Sequence, residues 1–191
     1  MKNLLRILLV TLLTSVIAAT QSKPALEKKQ QIVVFGPGGE YHRQADEAMH
    51  EKRFDDAIRL FEKAAETGDG AAMRFLGDVF YYGKFRAQDF STARSYYEKA
   101  EAIGYLGGLG ANNLGVIYAK GLGVKQDYKH AFQLFQKSAA RDEPWGMYNL
   151  GSSYELGLGV AQDYKQARQW YEKAAAKGID NAKIQLEKLP K

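Results

Sequence analysis

From Glu40 onward the apolar residues recur at helical spacing, and from about residue 71 the pattern copies itself. Phe90, Ala93, Tyr97 and Ala100 stand at i, i+3, i+7 and i+10, which places a ring and a methyl alternately along one helix face. Tyr128, Ala131, Phe135 and Ser138 repeat that arrangement, and Tyr164, Ala167, Tyr171 and Ala174 repeat it again. A second kind of helix precedes each of these, marked by Leu76-Gly77, Leu114-Gly115 and Leu150-Gly151. The pattern predicts first helices over 71–82, 109–120 and 145–156, second helices over 90–102, 128–140 and 164–177, and a terminal helix over 181–189. Ahead of them, Ala45, Ala57, Phe61 and Ala64 outline one more helix pair, with its second member opening at Phe54.

The copying is close enough to read as text. Residues 114–140 run LGVIYAKGLGVKQDYKHAFQLFQKSAA, and 150–176 run LGSSYELGLGVAQDYKQARQWYEKAAA; a looser copy, LGDVFYYGKFRAQDFSTARSYYEKAEA, fills 76–102. The offsets are 38 and 36 residues. Repetition at this period predicts an all-α solenoid, an α/α superhelix in which each hairpin buries its apolar face only against its neighbours along one uninterrupted seam. Asp89, Asp127 and Asp163 stand where a side-chain oxygen can cap a second helix. Gly121 and Gly157 are placed to end first helices in the left-handed conformation, with Gly123 and Gly159 tightening the turn before Val124 and Val160. Phe85 and Arg86 break this turn pattern in the first copy.

These residues carry a resemblance. Leu150-Gly151, Tyr154, Gly157-Leu158-Gly159-Val160, Asp163, Ala167, Trp170-Tyr171 and Lys173-Ala174-Ala175 resemble the unit of the Sel-one-like repeat family, a relative of tetratricopeptide repeats. On that basis the chain divides into a capping tetratricopeptide-like hairpin at 40–70, three Sel-one-like repeats at 71–180 and a terminal cap at 181–191. What the resemblance implies is an adaptor or scaffold that holds a partner protein and needs no cofactor.

Composition narrows the chemistry. The chain has no cysteine, so disulfides, thiolate metal sites and a cysteine nucleophile are excluded. Its 27 basic and 22 acidic side chains give a net charge of +5, too mild to point to nucleic acid. Lys2 and Arg6, an apolar run from Ile7 to Val16, and Ala18-Ala19 before Gln21 read as a signal peptide at 1–20, with an uncleaved anchor as the alternative. A periplasmic or secreted protein is therefore expected. Residues 21–39 read as a linker with one apolar patch at 32–35.

No GxSxG, HExxH or GxGxxG motif is present, and the sequence places no pair of carboxylates for hydrolysis. His42, His50 and His130 lack metal-ligand spacing and are expected to be solvated. The Gly-rich stretch at 105–110 has no phosphate-loop Lys-Ser/Thr and reads as a linker.

Comparing the copies separates what stacking demands from what varies. The outward stripe of the first helices varies: Arg74, Asp78 and Tyr81, then Asn112, Val116 and Ala119, then Tyr148, Ser152 and Glu155. Together with Trp145 these residues are the candidates for contact with a protein or peptide in the concave groove. Trp145 reads equally as an anchor or as packing on Pro144, and Tyr82 as cover for the adjoining turn. A secreted enzyme acting on a wall-related or antibiotic substrate is the alternative, and a structural spacer a third.

Overall fold

A computed structural model describes residues 37–190. The leader, nearly all of the linker and the patch at 32–35 lie outside the described residues. Within them the chain forms nine α-helices and no strand. The helices are α1 (Pro37–His50), α2 (Phe54–Glu66), α3 (Gly70–Tyr82), α4 (Phe90–Ala102), α5 (Gly107–Lys120), α6 (Tyr128–Ala139), α7 (Pro144–Leu156), α8 (Tyr164–Ala176) and α9 (Asp180–Lys188). Successive helices pair as hairpins, each second helix packs on the next first helix, and α5 also touches α3 and α7. The fold is an α/α superhelical solenoid.

The local reasons are those of helix termini. Asp89 Oδ1 accepts from the backbone N–H groups of Ser91 and Thr92 at 2.9 and 3.1 Å, Asp127 from His130 at 2.9 Å, and Asp163 from Gln166 at 3.0 Å. Each bond satisfies a backbone donor that the first turn leaves without a helical partner. First helices end at Gly83, Gly121 and Gly157, with φ of 68, 66 and 68°. A glutamine then clips the turn shut. Gln88, Gln126 and Gln162 donate to the carbonyls of Tyr81, Ala119 and Glu155, each at 2.7 Å. Phe85 does not alter the turn: its φ is 68°, the conformation held by Gly123 and Gly159. Its ring stacks on Phe54, centroids 4.6 Å apart, which offsets the strain of a left-handed non-glycine residue.

Gly77, Gly115 and Gly151 lie beneath the rings of Tyr97, Phe135 and Tyr171. A Cβ on any of them would come within 2.5, 2.6 or 2.8 Å of ring carbon. These glycines set the spacing inside each hairpin.

One expectation is corrected. The buried apolar side chains form two clusters that meet within the α5–α6 hairpin and are joined through half-buried side chains instead of one fully buried seam: Leu76 and Leu114 belong to one, Leu150 to the other. Polar side chains are buried as well. Asn112, Asn113 and Ser138 are buried, and Ser138 Oγ donates to the Gly108 carbonyl at 2.8 Å. Half-buried Tyr118 packs against both clusters and bridges them.

Two histidines also depart from the solvated expectation. His42 Nδ1 lies 2.8 Å from Asp69 Oδ2, while Asp69 Oδ1 caps α3 through the Ala72 N–H. His130 packs edge-on against Tyr118, centroids 4.4 Å apart. Among the described residues no group of His, Cys, Asp or Glu could hold a metal ion, and no helix is long and apolar enough to cross a membrane.

Candidate functional site

The first helices α3, α5 and α7 carry the candidate stripe, and their side chains form a polar chain across three units. Arg74 Nη1 donates to Asp78 Oδ2 at 3.2 Å, and the Tyr97 hydroxyl donates to Asp78 Oδ1 at 2.7 Å. Asn113 Nδ2 lies 3.2 Å from the hydroxyl oxygens of both Tyr97 and Tyr82. Asn112 donates to Asn113 at 3.4 Å and accepts from Asn149 at 2.8 Å. Burial pushes the Asp78 carboxyl up from its ordinary value, against the opposing pull of Tyr97 and Arg74.

Asn112 is therefore not outward: it is 6% exposed and serves the junction between units. Asp78 and Glu155 likewise face inward with one oxygen, since the Tyr171 hydroxyl donates to Glu155 at 2.5 Å. Burial pushes the pKa of both Tyr97 and Tyr171 far above the usual phenol range, so both stay protonated, and the neighbouring carboxylates add to the shift. Phe135, at the same position, has no hydroxyl, and its first helix presents Val116 and Ala119 where the other two units have an acid. The pairing of phenol with acid is a signal the sequence held, readable by aligning the units on Tyr97, Phe135 and Tyr171.

Between α5, α6 and α7 lies a cleft of about 110 Å³. Val116, Ala119 and Ser152, all from the predicted stripe, line it together with Asn149, Tyr128 and Phe135, which the sequence reading did not single out for contact. Trp145 and Tyr148 stand apart from it on α7, edge to face at 5.8 Å. Tyr148 packs onward against buried Tyr171 at 5.5 Å, whereas Trp145 is 44% exposed. Tyr81 is half-buried against Phe90 and Tyr97, and Tyr82 spans units through Asn113.

The family model described as Sel1 repeat matches residues 52–69, 70–105, 108–143 and 146–179, more than half of the chain. The chain belongs to the Sel1 repeat family. Sel1 repeats build helical scaffolds that typically serve protein interaction. The chain is 34% identical over 96 residues to the ERAD-associated E3 ubiquitin-protein ligase component HRD3B of Arabidopsis thaliana, and 34% identical over 97 residues to protein sel-1 homolog 2 of Homo sapiens. These alignments take in 49% and 51% of this chain but only 14% of either relative. Among solved structures it is similar to a protective antigen of uropathogenic Escherichia coli with an SLR fold, at TM-score 0.69 and 29% identity over 79% of this chain and 33% of that one. A Sel1 repeat protein from Oxalobacter formigenes follows at TM-score 0.63 and 28% identity, covering 76% of this chain and 60% of that one.

Proposed function

We propose that this Sel1 repeat protein is an exported adaptor that holds a protein or peptide partner on the face of its first helices, in the assembly or regulation of a cell-envelope complex. The observation that carries the reading is on α7: exposed Trp145 stands four and seven residues before Asn149 and Ser152, which line the cleft, so the three share one helix face. An exposed ring beside polar groups is a good interface anchor. The basic start, apolar run and small residues of 1–20 support export to the periplasm or beyond. That one similar structure is a protective antigen, and one relative a component of a larger ligase assembly, is in keeping with this placement and role.

Photoreactive residues at positions 78 and 148, followed by mass spectrometry of crosslinked cell envelopes, test the reading. A specific crosslinked partner is expected at these positions and not from a photoreactive residue at Lys99 on the far side. Trp145→Ala is expected to weaken capture at least about tenfold with helical circular dichroism and melting unchanged. A mature protein that retains Met1 would sink the export part of the proposal, and equal crosslinking from both faces would sink the groove.

A further inference from the structure

The cleft has a counterpart one unit earlier, and there it is full. Stepping back 38 residues, the positions of Val116, Ala119 and Lys120 become Asp78, Tyr81 and Tyr82, while Tyr128 and Phe135 become Phe90 and Tyr97. At that earlier junction the Tyr81 ring lies between the others, 5.7 Å from Phe90 and 6.3 Å from Tyr97, with Tyr82 edge-on at 4.9 Å. Asn113, the counterpart of Asn149, holds the two phenol oxygens of Tyr82 and Tyr97 at 3.2 Å. In the α5–α7 junction the corresponding side chains stop short. Ala119 has no ring, Phe135 has no hydroxyl, and Lys120 turns outward to solvent.

The space left is about 110 Å³ and open at one side. This is on the scale of the ~150 Å³ apolar cavities that take up benzene. Apolar Val116, Ala131 and Phe135 line it together with polar Asn149, Ser152 and Ser153. Asn149 donates its side-chain N–H to Asn112 at 2.8 Å, its backbone carbonyl accepts from Ser153 Oγ at 2.9 Å, and its side-chain oxygen makes no hydrogen bond among the described residues. A phenol entering edge-first would bury its ring where Tyr81 sits one unit earlier and offer its hydroxyl to that side-chain oxygen. Lys120, exposed at the rim, favours a carboxylate beside the ring.

We propose that this cleft is a receptor for a tyrosine side chain supplied by the partner, from an extended segment with an acidic residue next to that tyrosine. The proposal rests on the adaptor reading and names the chemistry it recognises. The chain supplies the missing ring for itself at one junction and leaves it to the partner at the next.

The test uses the full chain and three probes, N-acetyl-tyrosinamide, N-acetyl-leucinamide and N-acetyl-aspartyl-tyrosinamide, followed by amide chemical shifts. Saturable shifts confined to 116–120 and 149–153 are expected, with tyrosinamide about fivefold tighter than leucinamide and the aspartyl probe tighter again by about threefold in low salt. Ala119→Tyr, which fills the cleft as Tyr81 fills its counterpart, is expected to weaken the tyrosine probe at least about tenfold while melting stays at or above the parent temperature. Should Ala119→Tyr fail to fold, Ala119→Leu provides the partial fill and is expected to weaken binding severalfold. Equal response to leucine and tyrosine, shifts elsewhere, or undiminished binding in the filled variant would each overturn the receptor. Partner crosslinks at position 148 with capture unaffected by Ala119→Tyr would leave the adaptor reading standing and overturn the tyrosine assignment.

Discussion

Tyr97 and Tyr171 each give their hydroxyl to an acid, the two acids standing at first-helix positions three residues apart in the repeat, and Phe135 is their internal control. Each phenol is buried and donates to a carboxylate of its own first helix, so neither hydroxyl is left without a partner. An unsatisfied buried hydroxyl or carboxylate costs about 1–3 kcal/mol, which is why phenol and acid occur together and vanish together. Because burial raises both phenols above their unfolded value, the folded state keeps these protons after an unfolded tyrosine, at about pH 10, has lost its own. Their contribution is complete below that pH and is lost as pH climbs toward the folded values. Urea melts from pH 8 to 11 should therefore show stability falling with pH, and Tyr97→Phe with Tyr171→Phe should flatten the slope. Tyr118, pushed up to about 12 by burial and its bond to Glu98, adds a smaller share in the same direction. At Gly115 the usual helix rule reverses. Alanine favours a helix by about 1 kcal/mol over glycine, but here its Cβ would press on the Phe135 ring at 2.6 Å. Gly115→Ala should lower stability by about 1–3 kcal/mol in denaturant melts.

At the scale of the helix, the caps and turns were legible because they depend on neighbours in sequence. Asp89, Asp127 and Asp163 cap as the pattern predicts, and the second helices begin at the expected residues. Replacing Asp127 by Ala should cost about 1 kcal/mol, read from thermal melts, with Asp127→Asn recovering most of it. The first helices begin one or two residues earlier than the spacing of rings suggested, since Gly70, Gly107 and Pro144 extend them with residues that carry no periodic signal. Phe85 was illegible for a different reason. Its backbone follows the glycine pattern, and only the stack on Phe54, 31 residues away, shows how that conformation is supported. The candidate stripe was legible as a set of positions. That Asn112 turns inward, or that Ala119 leaves a hollow, depends on side chains of the adjoining unit and could not be read from one helix.

Across the whole array, two buried clusters meet within the α5–α6 hairpin, and half-buried Tyr118 packs against both. The repeat period announced a solenoid but not this division, because periodicity marks which face of a helix is buried and not which side chains of the next helix it touches. Both tryptophans, Trp145 and Trp170, belong to the C-terminal cluster's hairpins. Their fluorescence follows that half alone, whereas circular dichroism follows both halves. Tyr118→Ala should thus separate the two transitions in urea, and coincident curves in that variant would contradict the division. One contact fixes more than stability. The turn after α7 rests on the start of α6 so closely that a Cβ at Gly159 would lie 2.1 Å from the Tyr128 carbonyl oxygen, while the turn after α3 instead covers Phe54 with Phe85. The units are therefore not interchangeable beads: a later repeat spliced directly behind the capping hairpin would bring a bare glycine to Phe54, where the Phe85 ring now stacks, and the order in which they are strung is itself encoded.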